Sequence, residues 1–152
     1  MESDKCLLPE SLRLPCSSMD YGQVIAFADT AAGCAGFNDV MSRRLRMAIE
    51  EAVVNVHSYS GATFVTLDAS ICNRQLAITI TDDGRPFNPT AHDKPDLSVS
   101  ADKRPPGGLG IFYMRKMSSS MEYCRKASVN ILTMKFNLNS AATVITGGRL
   151  FC

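Results

Sequence analysis

The chain has 152 residues, the length of one domain and too short for two ordinary ones. Hydrophobic residues make up 45% and charged residues 20% of it, close to a globular average, which excludes wholesale disorder. The 16 Lys and Arg against 15 Asp and Glu leave a net charge of +1, so composition supplies no basic surface for direct nucleic-acid contact or for an anionic membrane.

Residues 10–15 alternate through Leu12 and Leu14, predicting a short strand closed by Pro15. Ser17 and Ser18 then precede Tyr21, Val24, Ile25 and Ala28, a helical spacing that Gly33 can end. Asn38 or Asp39 caps a second helix, with apolar residues at Met41, Leu45, Ala48, Ala52 and Val56, running to about Ser58 before Gly61 breaks it. Strands follow at 63–69 and 75–81, joined by a hairpin over SICNR, with Leu76, Ile78 and Ile80 on one face. Residues 84–106 are proline-rich and without period, and a loop of that length in a compact domain tends to be functional. Gly107–Gly110 opens a helix through Ile111, Met114 and Met117, and strands at 121–126 and 129–138, joined by a tight turn, close the domain. The last fourteen residues show neither period, and their role stays undecided between a frayed tail, an edge strand and a partner-binding segment.

Consecutive strands on short turns predict antiparallel pairing with the helices on one face. The expected fold class is α+β, a two-layer α/β sandwich on a mixed, mostly antiparallel sheet. No apolar run approaches the roughly 20 residues that span a bilayer. The opening MESDKCLLPE lacks the apolar core of a secretory signal, so a soluble cytoplasmic domain is expected. The 6 cysteines form no C-x-x-C pair and only 2 histidines are present, which disfavours a zinc site and predicts scattered, reduced thiols.

Three motifs carry chemistry. Glu51 and Asn55 lie four residues apart on the second helix, hence on one face. A carboxylate there can act as a base and an amide oxygen can ligate a hard cation such as Mg²⁺. Taken alone, the pair reads first as a solvated helix face. Asp82-Asp83-Gly84 follows the apolar strand: an acid at a strand end can accept from an amino group, and Gly84 leaves room for a flat ring. Taken alone, the same residues read first as an ordinary turn. Gly107, Gly108, Leu109 and Gly110 open a helix, whose free N–H groups attract phosphate, although glycines also serve simple helix entry. Neither a P-loop nor a strand-linked G-x-G-x-x-G is present. Together, and around one long loop, the motifs form the parts of a nucleotide site.

The set resembles the N, G1 and G2 boxes of the Bergerat-fold ATPases, the superfamily of gyrase, Hsp90, histidine kinases and MutL. Within it the chain is similar to the anti-sigma factor serine/threonine kinases, through E-A-V-V-N, D-x-G-x-P-F-N-P, G-G-L-G-I, and Glu122-Tyr123 followed by Asn130-x-Leu132-Thr133. The resemblance covers about residues 10–138. It implies a histidine kinase-like ATPase domain over 1–138 with a tail at 139–152. It implies ATP and Mg²⁺ as cofactors, Asn55 as the metal ligand, Glu51 as the base, and Asp82 on the adenine amino group beside Gly84. The backbone of Gly107, Gly108, Leu109 and Gly110 would meet the phosphates, and residues 85–106 would form the lid. The implied partners are a sigma factor and a STAS-domain anti-anti-sigma protein carrying the phosphorylated Ser or Thr, with a homodimer as a family expectation. Departures exist: where the family carries a basic residue and then His or Tyr after the Asn, this chain has Ser58 and Tyr59, with His57 one place earlier. His57 reads as a helix-surface or partly buried residue, and His92 as solvated. Lys103 and Arg104 either reach phosphate or are solvated lid charges. The alternative to a kinase is a non-catalytic ATP-binding module that captures partners. A third reading is an ATP-binding fragment with some other substrate.

Overall fold

The computed structural model describes residues 7–91, 97–103 and 108–139. In chain order they form β1 (Leu12–Pro15), α1 (Tyr21–Cys34), α2 (Asp39–Asn55), a π-helical segment (Val56–Ser60), β2 (Phe64–Cys72), β3 (Gln75–Asp82), α3 (Gly108–Met117), β4 (Ser120–Lys126) and β5 (Val129–Asn137). Short 3-10 turns occupy Cys16–Ser18, Pro89–Ala91 and Ala101–Lys103.

The helix starts follow from capping chemistry. Asp20 accepts the Gln23 N–H at 3.3 Å and Asn38 accepts the Met41 N–H at 2.9 Å, each satisfying an otherwise orphaned donor. Ser17 and Ser18 precede the first helix as the sequence reading has it, in the 3-10 turn before the cap Asp20. Helix α1 buries Val24, Phe27, Ala28, Ala31 and Ala32, and α2 buries Leu45, Ala48, Ile49, Ala52 and Val53. The two helices pack on each other and on the sheet through these residues, in one core. Beyond Asn55 the α-helix gives way to the π-helical turn, which Gly61 ends at a φ of 67°.

The five-stranded sheet has the order β1-β2-β3-β5-β4. Every pairing described is antiparallel, so the sheet expected to be mixed is not mixed among these residues. Its inner face alternates in register: Leu67 pairs with Ile80 and Ile80 with Leu132, while Ile78 pairs with Met134 and Leu76 with Phe136. Leu76, Ile78 and Ile80 are all buried, and the next residue of that series is Asp82. The opposite face carries half-buried threonines such as Thr66, Thr79, Thr81 and Thr133. That leaves a two-layer α+β architecture with helices on one face.

Three further expectations need correction. Strand β2 runs through Cys72, so the hairpin is a tight turn at Asn73-Arg74, with φ of 50° and 60°, rather than the longer SICNR link. Helix α1 continues past Gly33 to Cys34. Cys16 and Cys124 are free thiols, but Cys34 and Cys72 are disulfide-bonded, against the expectation of reduced cysteines. Gly107, His92 and Arg104, and all of the tail beyond Asn139, lie outside the described residues. No helix among the described residues is long and apolar enough to cross a membrane.

Candidate functional site

The site begins where the apolar series of β3 ends. Asp82 is 5% exposed, so the pleat turns a carboxylate toward the helix layer in place of another isoleucine. Its Oδ1 accepts two hydrogen bonds, from the Gly84 N–H at 2.8 Å and from Asn130 Nδ2 at 3.0 Å. Neither bond uses Oδ2, and Asp82 forms part of a cavity wall. Asp83, one pleat further, faces the other way. It accepts the N–H groups of Thr63 and Phe64 at 2.7 and 3.2 Å and the Thr63 hydroxyl.

That cavity encloses about 300 Å³ between the helices and the sheet. Ala52, Val56, Met114, Ile80 and Leu132 give it apolar walls, with Asn55, Asp82 and Asn130 as polar points. A mostly apolar cleft with a few convergent polar groups is the general form of a small-molecule site. Tyr59 and Phe87, 47% and 41% exposed, stand at its rim.

The glycines are places of close approach. A Cβ on Gly84 would come within 2.5–2.7 Å of Ser60 Cβ, Oγ and backbone oxygen, so the missing side chain accommodates Ser60. The Arg85 N–H donates to the Ser60 carbonyl at 2.9 Å, and the Arg85 guanidinium donates to the Tyr59 carbonyl at 2.6 Å. The π-helical segment is thereby fastened to the turn after β3. A Cβ on Gly110 would collide with Glu51 Oε2, and Asn55 Nδ2 would lie 3.9 Å from it. Gly110 therefore brings the first turn of α3 onto the Glu51–Asn55 face of α2.

At that junction Asn55 Nδ2 is buried without a hydrogen-bond partner, and no other buried side-chain nitrogen or oxygen among the described residues is. An orphaned amide of this kind calls for a ligand. Rotating the amide about its last bond presents either an N–H to a phosphate oxygen or Oδ1 to a hard cation. Among the described residues no three His, Cys, Asp or Glu side chains cluster as a metal cage. Mg²⁺ commonly takes few protein ligands and completes its shell with phosphate and water, so Asn55 fits that role. Gly108, Leu109 and Gly110 form the first turn of α3, where backbone N–H groups have no helical partner.

Of the residues singled out by sequence, Asn55 and Asp82 line one cavity. Glu51 and Gly110 meet at its α3 end, and Gly84 adjoins Asp82. His57 is exposed and meets Tyr21 edge to face at 6.3 Å, away from these groups. The sequence reading missed Asn130 as a site residue, as well as Arg125 and Arg115. Arg125 donates to the Gly84 carbonyl at 3.1 Å, and Arg115 donates to the carbonyls of Pro89, at 3.1 Å, and Thr90. For Asn130 a signal existed, because it continues the alternation of Leu132, Met134 and Phe136 inward.

Residues 16–136 match the histidine kinase-like ATPase domain family. The chain belongs to that family. Two relatives refine the placing of this histidine kinase-like ATPase. It is 31% identical over 106 residues to the serine/threonine-protein kinase BtrW of Bordetella bronchiseptica, covering 63% of this chain and 73% of that one. It is 28% identical over 101 residues to an anti-sigma F factor of Clostridium perfringens, covering 63% of this chain and 72% of the relative. Among solved structures it is similar to the Acinetobacter baumannii histidine kinase AdeS, with a TM-score of 0.48 and 16% identity, over 88% of this chain and 70% of that one. Family membership implies nucleotide binding by the domain.

Proposed function

We propose that this histidine kinase-like ATPase is an ATP-dependent serine/threonine protein kinase acting as an anti-sigma factor. Its phosphoacceptor is proposed to be a Ser or Thr of a STAS-domain anti-anti-sigma protein, and its second partner a sigma factor. The relatives' names, kinase and anti-sigma F factor, support the reading. The observation that carries it is a single cavity with an available carboxylate oxygen, Asp82 Oδ2, and an orphaned amide, Asn55 Nδ2, in its wall. The catalytic domain is assigned to residues 1–138, and the tail to 139–152.

In this reading Asp82 Oδ2 accepts from the adenine amino group, and the apolar walls sandwich the ring. The backbone N–H groups of Gly108, Leu109 and Gly110, with Gly107 before them, receive the phosphates at the positive end of α3. Asn55 holds Mg²⁺, which when bound supplies charge neutralisation at the phosphates. Glu51, half-buried beside Gly110, orients the acceptor hydroxyl and takes its proton.

Separate substitutions test the roles. Asn55→Ala should impair Mg²⁺-dependent nucleotide binding. Glu51→Ala should leave binding nearly intact and reduce phosphate transfer to a purified STAS-domain protein by roughly 10²–10⁴-fold, the usual contribution of a positioned general base. If the wild-type protein binds ATP and phosphorylates no such partner, a partner-capture module without kinase activity replaces the kinase. Transfer by Glu51→Ala at the wild-type rate would remove Glu51 from its role.

A further inference from the structure

We infer that Asn130 is a positioning residue that makes the cavity select a purine with a 6-amino group over one with a 6-oxo group. The inference rests on the nucleotide reading above and adds to it the residue that decides how Asp82 presents itself.

Asn130 is 4% exposed on β5, directly opposite Asp82 of β3 in the ladder. Its amide can be oriented only one way. Oδ1 accepts from the Tyr123 hydroxyl at 2.7 Å and from Arg125 Nη1 at 2.8 Å. Arg125 has no acceptor atoms, so the oxygen of Asn130 must face it. Nδ2 is thereby turned toward Asp82 Oδ1, at 3.0 Å, and toward the Arg85 carbonyl at 2.8 Å. The Gly84 N–H reaches the same Oδ1 from the turn.

Both protein donors therefore converge on one oxygen of Asp82. A carboxylate whose Oδ1 is held from two sides cannot rotate to offer its edge differently. Its other oxygen, Oδ2, is left to the cavity as an acceptor. A 6-amino group supplies the donor this oxygen needs, whereas a 6-oxo group brings a second acceptor against it. Without Asn130, Asp82 keeps only the Gly84 N–H and can turn about its side-chain bonds. The discrimination should then decline while the apolar walls still hold the ring. Because Tyr123 and Arg125 both belong to the edge strand β4, the selectivity is set partly from outside the cavity's floor.

The test compares ATP with inosine triphosphate, which carries a 6-oxo group, by direct binding measurements on the full chain. Wild-type protein should prefer ATP by roughly tenfold or more, the effect of one hydrogen bond to a charged group. Asn130→Ala should bring the ratio close to one through weaker ATP binding, with inosine triphosphate little changed. Equal weakening of both nucleotides would overturn the inference, since that is what a purely structural residue does. Should Asn130→Ala fail to fold, Asn130→Leu decides. It keeps the volume of the side chain and removes the Nδ2 donor to Asp82 Oδ1, so the ratio should fall toward one. An unchanged ratio in Asn130→Leu overturns the inference. Asp82→Asn separates the two levels. If it abolishes the preference and Asn130→Ala does not, only the role of Asn130 falls. If neither changes it, the adenine reading of Asp82 falls as well.

Discussion

At Asp82 the fold occupies one carboxylate oxygen and leaves the other to the cavity, whereas at Asp83 both oxygens are occupied by Thr63 and Phe64. Neighbours in sequence thus do different work, because a strand turns successive side chains to opposite faces. Asp83 ties the start of β2 to the end of β3. The Thr63 side chain above all, with the N–H groups of Thr63 and Phe64, holds its pKa below the ordinary 3.8. A carboxyl whose folded pKa is depressed adds stability that is present above the unfolded value and lost as pH falls through the folded one. The urea midpoint should accordingly drop as the pH is lowered below about 4. Asp83→Asn should flatten that dependence without altering nucleotide preference. Asp20, held down by Gln23, loses its contribution in the same window, so some slope should remain in the variant. A pH profile identical to wild type would show that the Asp83–Thr63 contact adds nothing to the folded state.

The elements of this chain announce themselves by period, and their junctions do not. The apolar spacing of 41–56 marks α2 and the alternation of 76–80 marks β3, because each buries one face against the same core. What was not legible is where backbone geometry departs from those periods. The π-helical turn after Asn55 has no side-chain signature, and its setting follows from the approach of Gly84 to Ser60 and the Arg85 hydrogen bonds to Tyr59 and Ser60. The β2–β3 turn lacks glycine and proline, so the eye lengthens it to SICNR, although Asn73 at its first position is a residue that tolerates left-handed backbone. The site shows the same division. Glu51, Asn55 and Asp82 stood out as polar residues in apolar patterns, while Asn130 was legible only as part of a motif and not as a site residue, because its cross-strand partner Asp82 is invisible in one dimension. The second tight turn is the more strained: Ala127 and Ser128 have φ of 46° and 71°. A left-handed non-glycine residue costs roughly 1–2 kcal/mol, and this hairpin geometry favours glycine at its second position. Ser128→Gly should therefore raise unfolding free energy by about 1 kcal/mol in denaturant, less whatever freedom glycine returns to the unfolded chain. A lower midpoint would mean that Ser128 makes a compensating contact.

For the molecule as a whole, the placement of the cavity decides what nucleotide does to stability. Its wall is shared: Ala52, Asn55 and Val56 from the end of α2, Met114 from α3, and Ile80, Asp82, Asn130 and Leu132 from the sheet. No one element owns the site, so local opening of either layer destroys it, and the unfolded chain has none of it. A ligand bound in this way stabilises the native state by RT ln(1 + [L]/Kd), about 2.7 kcal/mol at a hundredfold excess over Kd. For a chain of this size 1 kcal/mol moves Tm by roughly 2–4 °C, so saturating Mg-ATP should raise Tm by about 5–10 °C. The metal proposed at Asn55 would have its own signature. Chelating Mg²⁺ should remove part of the rise in the wild-type protein, and Asn55→Ala should remove the chelator-sensitive part while leaving the remainder, because the adenine contact proposed for Asp82 is untouched. Asp82→Asn should do the reverse, shrinking the whole response while what persists stays sensitive to the chelator. A Tm unmoved by Mg-ATP would remove the nucleotide from this cavity. A rise insensitive both to the chelator and to Asn55→Ala would keep the nucleotide and take Asn55 out of the metal's shell, leaving its buried amide to a phosphate oxygen.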